Sequence, residues 1–221
     1  MYRYILRIIC VALGCALSVQ GQQATRRNGA PRQTADTFSI YQVKDAQIRL
    51  ASGTNRKLLN LAEDVQGCFG SLQYEGYPPR KSYGRASAKL VVIDKVMKDD
   101  KRYVILHFSA PSNCNVAGHC GGEKDHTLVW LKLDAQLELE EKQAVAIQQC
   151  QAFLLLVDLA EDANGNVSLK LKQGKLAVKY EDGSGETVSH TLSYDRRLPE
   201  KGFVVTTTKP STDHSQPGDS R

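Results

Sequence analysis

From residue 153 onward the apolar residues recur at every second position, and this constrains the fold more than any other feature. Val167, Leu169 and Leu171 alternate with Ser168, Lys170 and Lys172. Leu176, Val178 and Tyr180 alternate with Ala177 and Lys179, and Val188, His190, Leu192 and Tyr194 with Ser189, Thr191 and Ser193. Successive side chains of a strand point to opposite faces, so such alternation describes strands with one face buried and one in water. Asn164-Gly165 separates Phe153–Leu159 from Val167–Lys172, and both residue types tolerate the positive φ of a tight hairpin turn. Gln173-Gly174 and Asp182-Gly183 mark two further turns, which predicts a four-strand meander over 153–194.

The same reading extends upstream. Ala88–Met97 and Arg102–Ser109 flank Lys98-Asp99-Asp100-Lys101, a second hairpin. Thr127–Leu133 and Ala144–Phe153 read as strands, Ser39–Leu50 as one or two, and Phe203–Thr208 as a β-branched last strand. Leu58–Val65 suits a turn or two of helix. Ala135–Gln143 holds good helix formers, but Leu137 and Leu139 keep strand spacing, which favours a strand. There is no internal repeat. The expected fold is all-β, an antiparallel β-sandwich or partly open barrel of meander or Greek-key type, disulfide-bearing and with little helix.

The N-terminus sets the compartment. Arg3 and Arg7 precede a 12-residue uncharged run, Ile8–Val19, and the small residue Gly21. A bilayer-spanning helix needs about 20 apolar residues, so the run has the length of a signal-peptide core. Residues 1–21 therefore read as a signal peptide, and no later segment is long enough to span a bilayer. Val11–Cys15 has some likeness to a lipidation box, with Cys15 as acceptor. Residues 22–36 form a polar, basic leader, 37–208 a single β domain, and 209–221 a Ser- and Asp-containing tail. After removal of the signal, 27 basic groups face 24 acidic ones, and the excess lies in residues 22–57. No aromatic residues interleave with the Arg cluster at 26–32, so the composition argues against nucleic acid as a partner. An acidic envelope surface or polysaccharide fits better.

Cys68, Cys114, Cys120 and Cys150 remain in the exported chain, and an oxidising compartment favours their pairing. Three pairings are open. The favoured one closes Cys114–Cys120 as a short ring and Cys68–Cys150 as a long clamp.

Chemistry concentrates in Ala110–His126 (APSNCNVAGHCGGEKDH), 17 residues without apolar periodicity. Loops of that length inside a domain are usually functional or disordered, and a disulfide argues against disorder. Asn113, Asn115, His119, Glu123, Asp125 and His126 are the candidate binding residues. Cys114, His119, Cys120 and His126 offer zinc-type donors, but their spacing is not a standard zinc pattern and paired cysteines cannot ligate. His119 and His126 with Glu123 and Asp125 form a second donor set, for which solvated loop residues are the plainer explanation. Calcium at Asp158–Asn166 fails the EF-hand spacing, and an Asn-Gly turn accounts for the segment. Asn166-Val167-Ser168 is a glycosylation sequon by pattern alone. No Gly-x-Ser-x-Gly is present, and His107 and His190 sit at positions expected to face a core. Tyr74–Pro79 with Tyr83 could stack on sugars or peptides but reads more simply as loop packing. Trp130 reads as a core anchor.

The expected function is a non-enzymatic, exported or envelope-associated binding domain, without cofactor or catalytic residues. Its partner would be a protein, glycan or envelope surface, met through the disulfide-pinned loop 110–126. The expected location is secreted, periplasmic or cell surface. The alternatives are a secreted hydrolase or metal-dependent enzyme using the loop histidines and carboxylates, and a structural module working through a strand edge.

Overall fold

Two kinds of strand are visible in the sequence, and they require different surroundings. The alternating strands need one cover. The runs Tyr103–Phe108 and Leu128–Leu131 are apolar almost throughout and need cover on both faces. The computed structural model describes residues 38–69, 71–73, 82–115, 119–159, 162, 165–185 and 187–209. The expected signal, leader and the tail beyond Lys209 lie outside these residues, as do Tyr74–Pro79, Glu161 and Asn164.

The described residues form 13 strands in three stacked meanders and one small hairpin. The first sheet is β1 (Ser39–Lys44), β2 (Gln47–Ser52) and β3 (Asn55–Asn60). The hairpin is β4 (Ser71–Gln73) with β5 (Ser82–Arg85). The central sheet holds β6 (Lys89–Lys98), β7 (Lys101–Pro111), β8 (Lys124–Leu133) and β9 (Leu139–Gln148). The third sheet holds β10 (Leu154–Val157), β11 (Lys175–Asp182), β12 (Val188–Asp195) and β13 (Val204–Thr208). All neighbours pair antiparallel, and in each sheet spatial order equals chain order.

Both faces of the central sheet are buried at its inner strands, β7 and β8. One face, with Val104, Leu106, Phe108, Val129, Leu131 and Leu133, packs on Ile48 and Leu50 of β2 and on Leu61 and Val65. The other, with Tyr103, Ile105, Leu128, Trp130 and Ile147, packs on Leu176, Val178, Tyr180, Leu192 and Tyr194 of the third sheet. At about 25 cal/mol per Å2 of apolar surface removed from water, these two faces supply most of the stabilisation. Trp130 is the expected anchor: it is fully buried, donates from Nε1 to the Pro199 carbonyl at 3.0 Å, and stacks near Tyr103. A bulge in β6 between Val92 and Asp94 turns Asp94 toward the third sheet. There it accepts from the Tyr194 hydroxyl at 3.2 Å and pairs with Arg196. Desolvation, then the Asp94 charge, push the Tyr194 hydroxyl pKa well above its ordinary value.

Three local expectations are corrected. Residues 55–60 are strand β3 and only 62–64 turn, so Leu58–Val65 holds no helix. Ala135–Glu138 is a turn closed by Asp134, and the strand starts at Leu139. The run 167–172 alternates but forms no strand between β10 and β11, which pair directly; it makes only isolated bridges at Val167 and Lys172. Val167 and Leu169 are nonetheless buried in the same core, so that run covers the sheet rather than extending it.

Candidate functional site

The loop between β7 and β8 lies at one end of the central sheet. The hairpin ladder runs on past the strand ends, with Ser112 N donating to Glu123 O at 3.0 Å. Beyond it the two limbs part. Cys114 bonds to Cys68, in the segment leaving the first sheet, and Cys120 bonds to Cys150, in the turn entering the third. This replaces the expected Cys114–Cys120 and Cys68–Cys150 pairing. The reason is the three-layer stack: each limb of the central hairpin is tied to a different outer layer, a layout the two-layer expectation did not contain. The closed segments span 46 and 30 residues. The chain-entropy model gives about 4 and about 3.6 kcal/mol against the unfolded chain.

The local backbone is built for this. Gly67, at φ 119°, lies flat on the end of β7, where a Cβ would stand 2.7 Å from Ala110 Cβ and 3.0 Å from Pro111 O. That approach lets Cys68 N donate to Pro111 O at 2.6 Å and brings Cys68 to Cys114.

The six candidate residues separate into two groups. Asn113, Asn115, His119 and Glu123 reach the surface, with His119 and Glu123 exposed. Asn113 Nδ2 donates to His119 O at 3.0 Å, and its Oδ1 accepts from Asn115 N at 2.9 Å. Asp125 and His126 are buried, contrary to a role in contacting solvent or partner. They are consecutive in β8 and point to opposite faces. Asp125 Oδ1 accepts from Ser112 Oγ at 2.5 Å and from Cys150 N at 3.1 Å. His126 Nδ1 meets His107 Nε2 at 2.9 Å, the rings stacked at 5.1 Å. Burial, then the neighbouring His126 and Lys89, hold His107 down at about 3, so it is neutral at physiological pH. Asp125 therefore cannot orient His126, and the Ser-His-Asp order of an acyl-transfer site is not assembled from these residues.

The proposed metal sets fare differently. Cys114 and Cys120 belong to separate disulfides, so Cys114, His119, Cys120 and His126 do not converge. His119 does meet the Cys120–Cys150 pair: its ring nitrogen and both sulfurs lie within 4.8 Å of one another, the one such group of three among the described residues. At the calcium candidate, Asp162 accepts from the backbone and side-chain amides of Asn166, while Lys124 Nζ donates to Asn166 Oδ1 at 3.1 Å. A lysine ammonium thus already serves one of the expected oxygen donors. His190 takes Thr207 Oγ1 as partner at 3.0 Å and stacks on Tyr180.

Sequence reasoning missed Ser112 and the pairing of His107 with His126. His107 was legible as core-facing, but the partner depends on the β7–β8 register, which places Ser109 opposite His126 and His107 opposite Leu128, two pairs further in on the same face. No family profile, curated protein or solved structure matches the chain.

Proposed function

We propose that this chain is an exported binding domain whose recognition surface is the β7–β8 loop. The observation that carries the reading is that both disulfides converge on this one connection, one to each outer layer. A loop fixed in this way loses little conformational entropy on binding. Its exposed groups, His119 and Glu123 beside the half-buried Asn113 and Asn115, offer hydrogen-bonding and charged contacts suited to a glycan or a polar protein surface. Disulfides favour an oxidising compartment, and no helix among the described residues is long and apolar enough to cross a membrane. The test compares binding to isolated envelope fractions by the wild type, by His119→Ala with Glu123→Ala, and by Asp100→Asn at the opposite end of β7. Loss confined to the loop variant supports the reading. Equal binding by all three removes it.

A second reading has its own observation. All five residues of β13 (VVTTT) are exposed and uncharged, and among the described residues it pairs only with β12. An open, uncharged, β-branched edge is a template for strand addition. It would make the chain a structural module of an assembly. Sedimentation of Thr206→Lys against the wild type tests it, since a charge on the edge abolishes such association.

A further inference from the structure

We infer that the Cys120–Cys150 disulfide masks a metal site: once reduced, Cys120, Cys150 and His119 hold one thiophilic d10 cation such as Zn2+. The inference goes beyond the binding reading and does not depend on it. Its basis is the coincidence of the three donor atoms within 4.8 Å. Thiolate and imidazole are zinc donors, at about 2.3 and about 2.0 Å from the metal, and tetrahedral angles put two zinc-bound sulfurs about 3.8 Å apart. The Cα atoms of Cys120 and Cys150 are 5.8 Å apart, so rotation of the freed side chains suffices to open the sulfurs to that distance.

The scaffold of the site is held by bonds that reduction leaves in place. Asn113 Nδ2 holds the His119 carbonyl at 3.0 Å, Asp125 holds the Cys150 amide at 3.1 Å, and Glu123 N donates to Cys120 O at 3.3 Å. The ladder bond from Ser112 N to Glu123 O keeps the two limbs in register. Three protein ligands leave the fourth position to water or an outside ligand. The exposure of His119 turns that position toward solvent.

The chemistry balances in two steps. A dithiol reductant gives two electrons and two protons to the S–S bond, yielding two cysteine thiols and the reductant's own disulfide. The cation then displaces both thiol protons and binds the two thiolates and the neutral imidazole, releasing two protons to water. A water-soluble phosphine serves as reductant in the test, since it becomes its oxide with water supplying the oxygen and leaves no competing dithiol.

The experiment is equilibrium dialysis of the full chain against Zn2+, oxidised and phosphine-reduced, followed by alkylation and peptide mapping. Circular dichroism is recorded in parallel. The expected result is one Zn2+ per reduced chain and none per oxidised chain. Zinc should protect Cys120 and Cys150 from alkylation while Cys68 and Cys114 react. His119→Gln should weaken binding at least about tenfold, on the scale seen when the surroundings of metal ligands are disturbed. No binding by the reduced chain overturns the inference. So does protection of Cys68 and Cys114 instead, or affinity indifferent to His119→Gln. If the reduced chain loses its β-sheet signal and zinc does not restore it, the pre-built scaffold is refuted as well.

Discussion

The buried His107–His126 pair makes acid stability the most direct probe of the structure. His107 is held at about 3 by burial first and by His126 and Lys89 next. In the unfolded chain a histidine titrates near 6.5. The folded pKa is the lower one, so between these values the unfolded chain binds the extra proton, and stability falls as pH falls. The loss is about 1.4 kcal/mol per pH unit, which gives roughly 2.5 kcal/mol between pH 7 and pH 4.5. Against a typical total of about 5–15 kcal/mol, this is a large share. The assay is urea unfolding at a series of pH values, followed by the fluorescence of Trp130, the only tryptophan in the chain. The comparison is His107→Gln, which keeps a hydrogen-bonding group beside His126 but cannot ionise in this range. Carboxylate titration is common to both proteins and cancels in the difference. The wild-type curve should fall more steeply below pH 6.5, and the gap between the curves should change by about 1.4 kcal/mol per unit down to pH 4. Parallel curves would show that His107 is not buried as a neutral group and would refute the argument.

Three further outcomes are expected. Gly67→Ala should cost about 2–4 kcal/mol, from the positive φ and the contact with Ala110, and thermal unfolding with non-reducing peptide mapping should show lower stability and less native Cys68–Cys114. Replacing Cys120 and Cys150 together by Ser should cost about 3.6 kcal/mol, and Cys68 with Cys114 about 4, as measured by urea midpoints. Trp130→Ala should cost about 3–5 kcal/mol by circular dichroism melting, since it opens a cavity between two layers and leaves the Pro199 carbonyl without its donor.

The strand content of this fold was legible because local periodicity reports it. The runs read as strands, Arg102–Ser109 and Thr127–Leu133, lie within β7 and β8, and β11 and β12 fall at the alternating segments. The third layer was not legible from alternation alone. Its signal was the lack of alternation in Tyr103–Phe108, which only a sheet covered on both faces tolerates. The disulfide pairing followed that omission, because short-range closure looks favourable until the two limbs of the loop are seen to face different layers. The segment 167–172 shows the converse limit: alternation buries Val167 and Leu169 but does not decide whether a neighbouring strand accepts the backbone. At the candidate site, sequence pattern identified the loop and its histidines. It could not separate exposed His119 from buried His126, since that division depends on where the β8 ladder begins.

The order of the disulfides along the chain bears on how such a molecule is made. The native bonds join the first cysteine of the domain to the second and the third to the fourth, with no overlap between the closed segments. If the chain is exported, as proposed, an oxidase that joins cysteines in the order in which they emerge from a translocation channel produces the native pairing directly. Cys68 and Cys114 can close once β7 has emerged, before Cys150 is present to compete. Maturation in this order requires no disulfide isomerase, so omitting the isomerase from a reconstituted secretion system should leave the yield of native bonds unchanged. The vulnerable interval lies later. Until β11 and β12 arrive, Ile105, Leu128 and Trp130 have no cover on their side of the central sheet, and a holdase would act on that face.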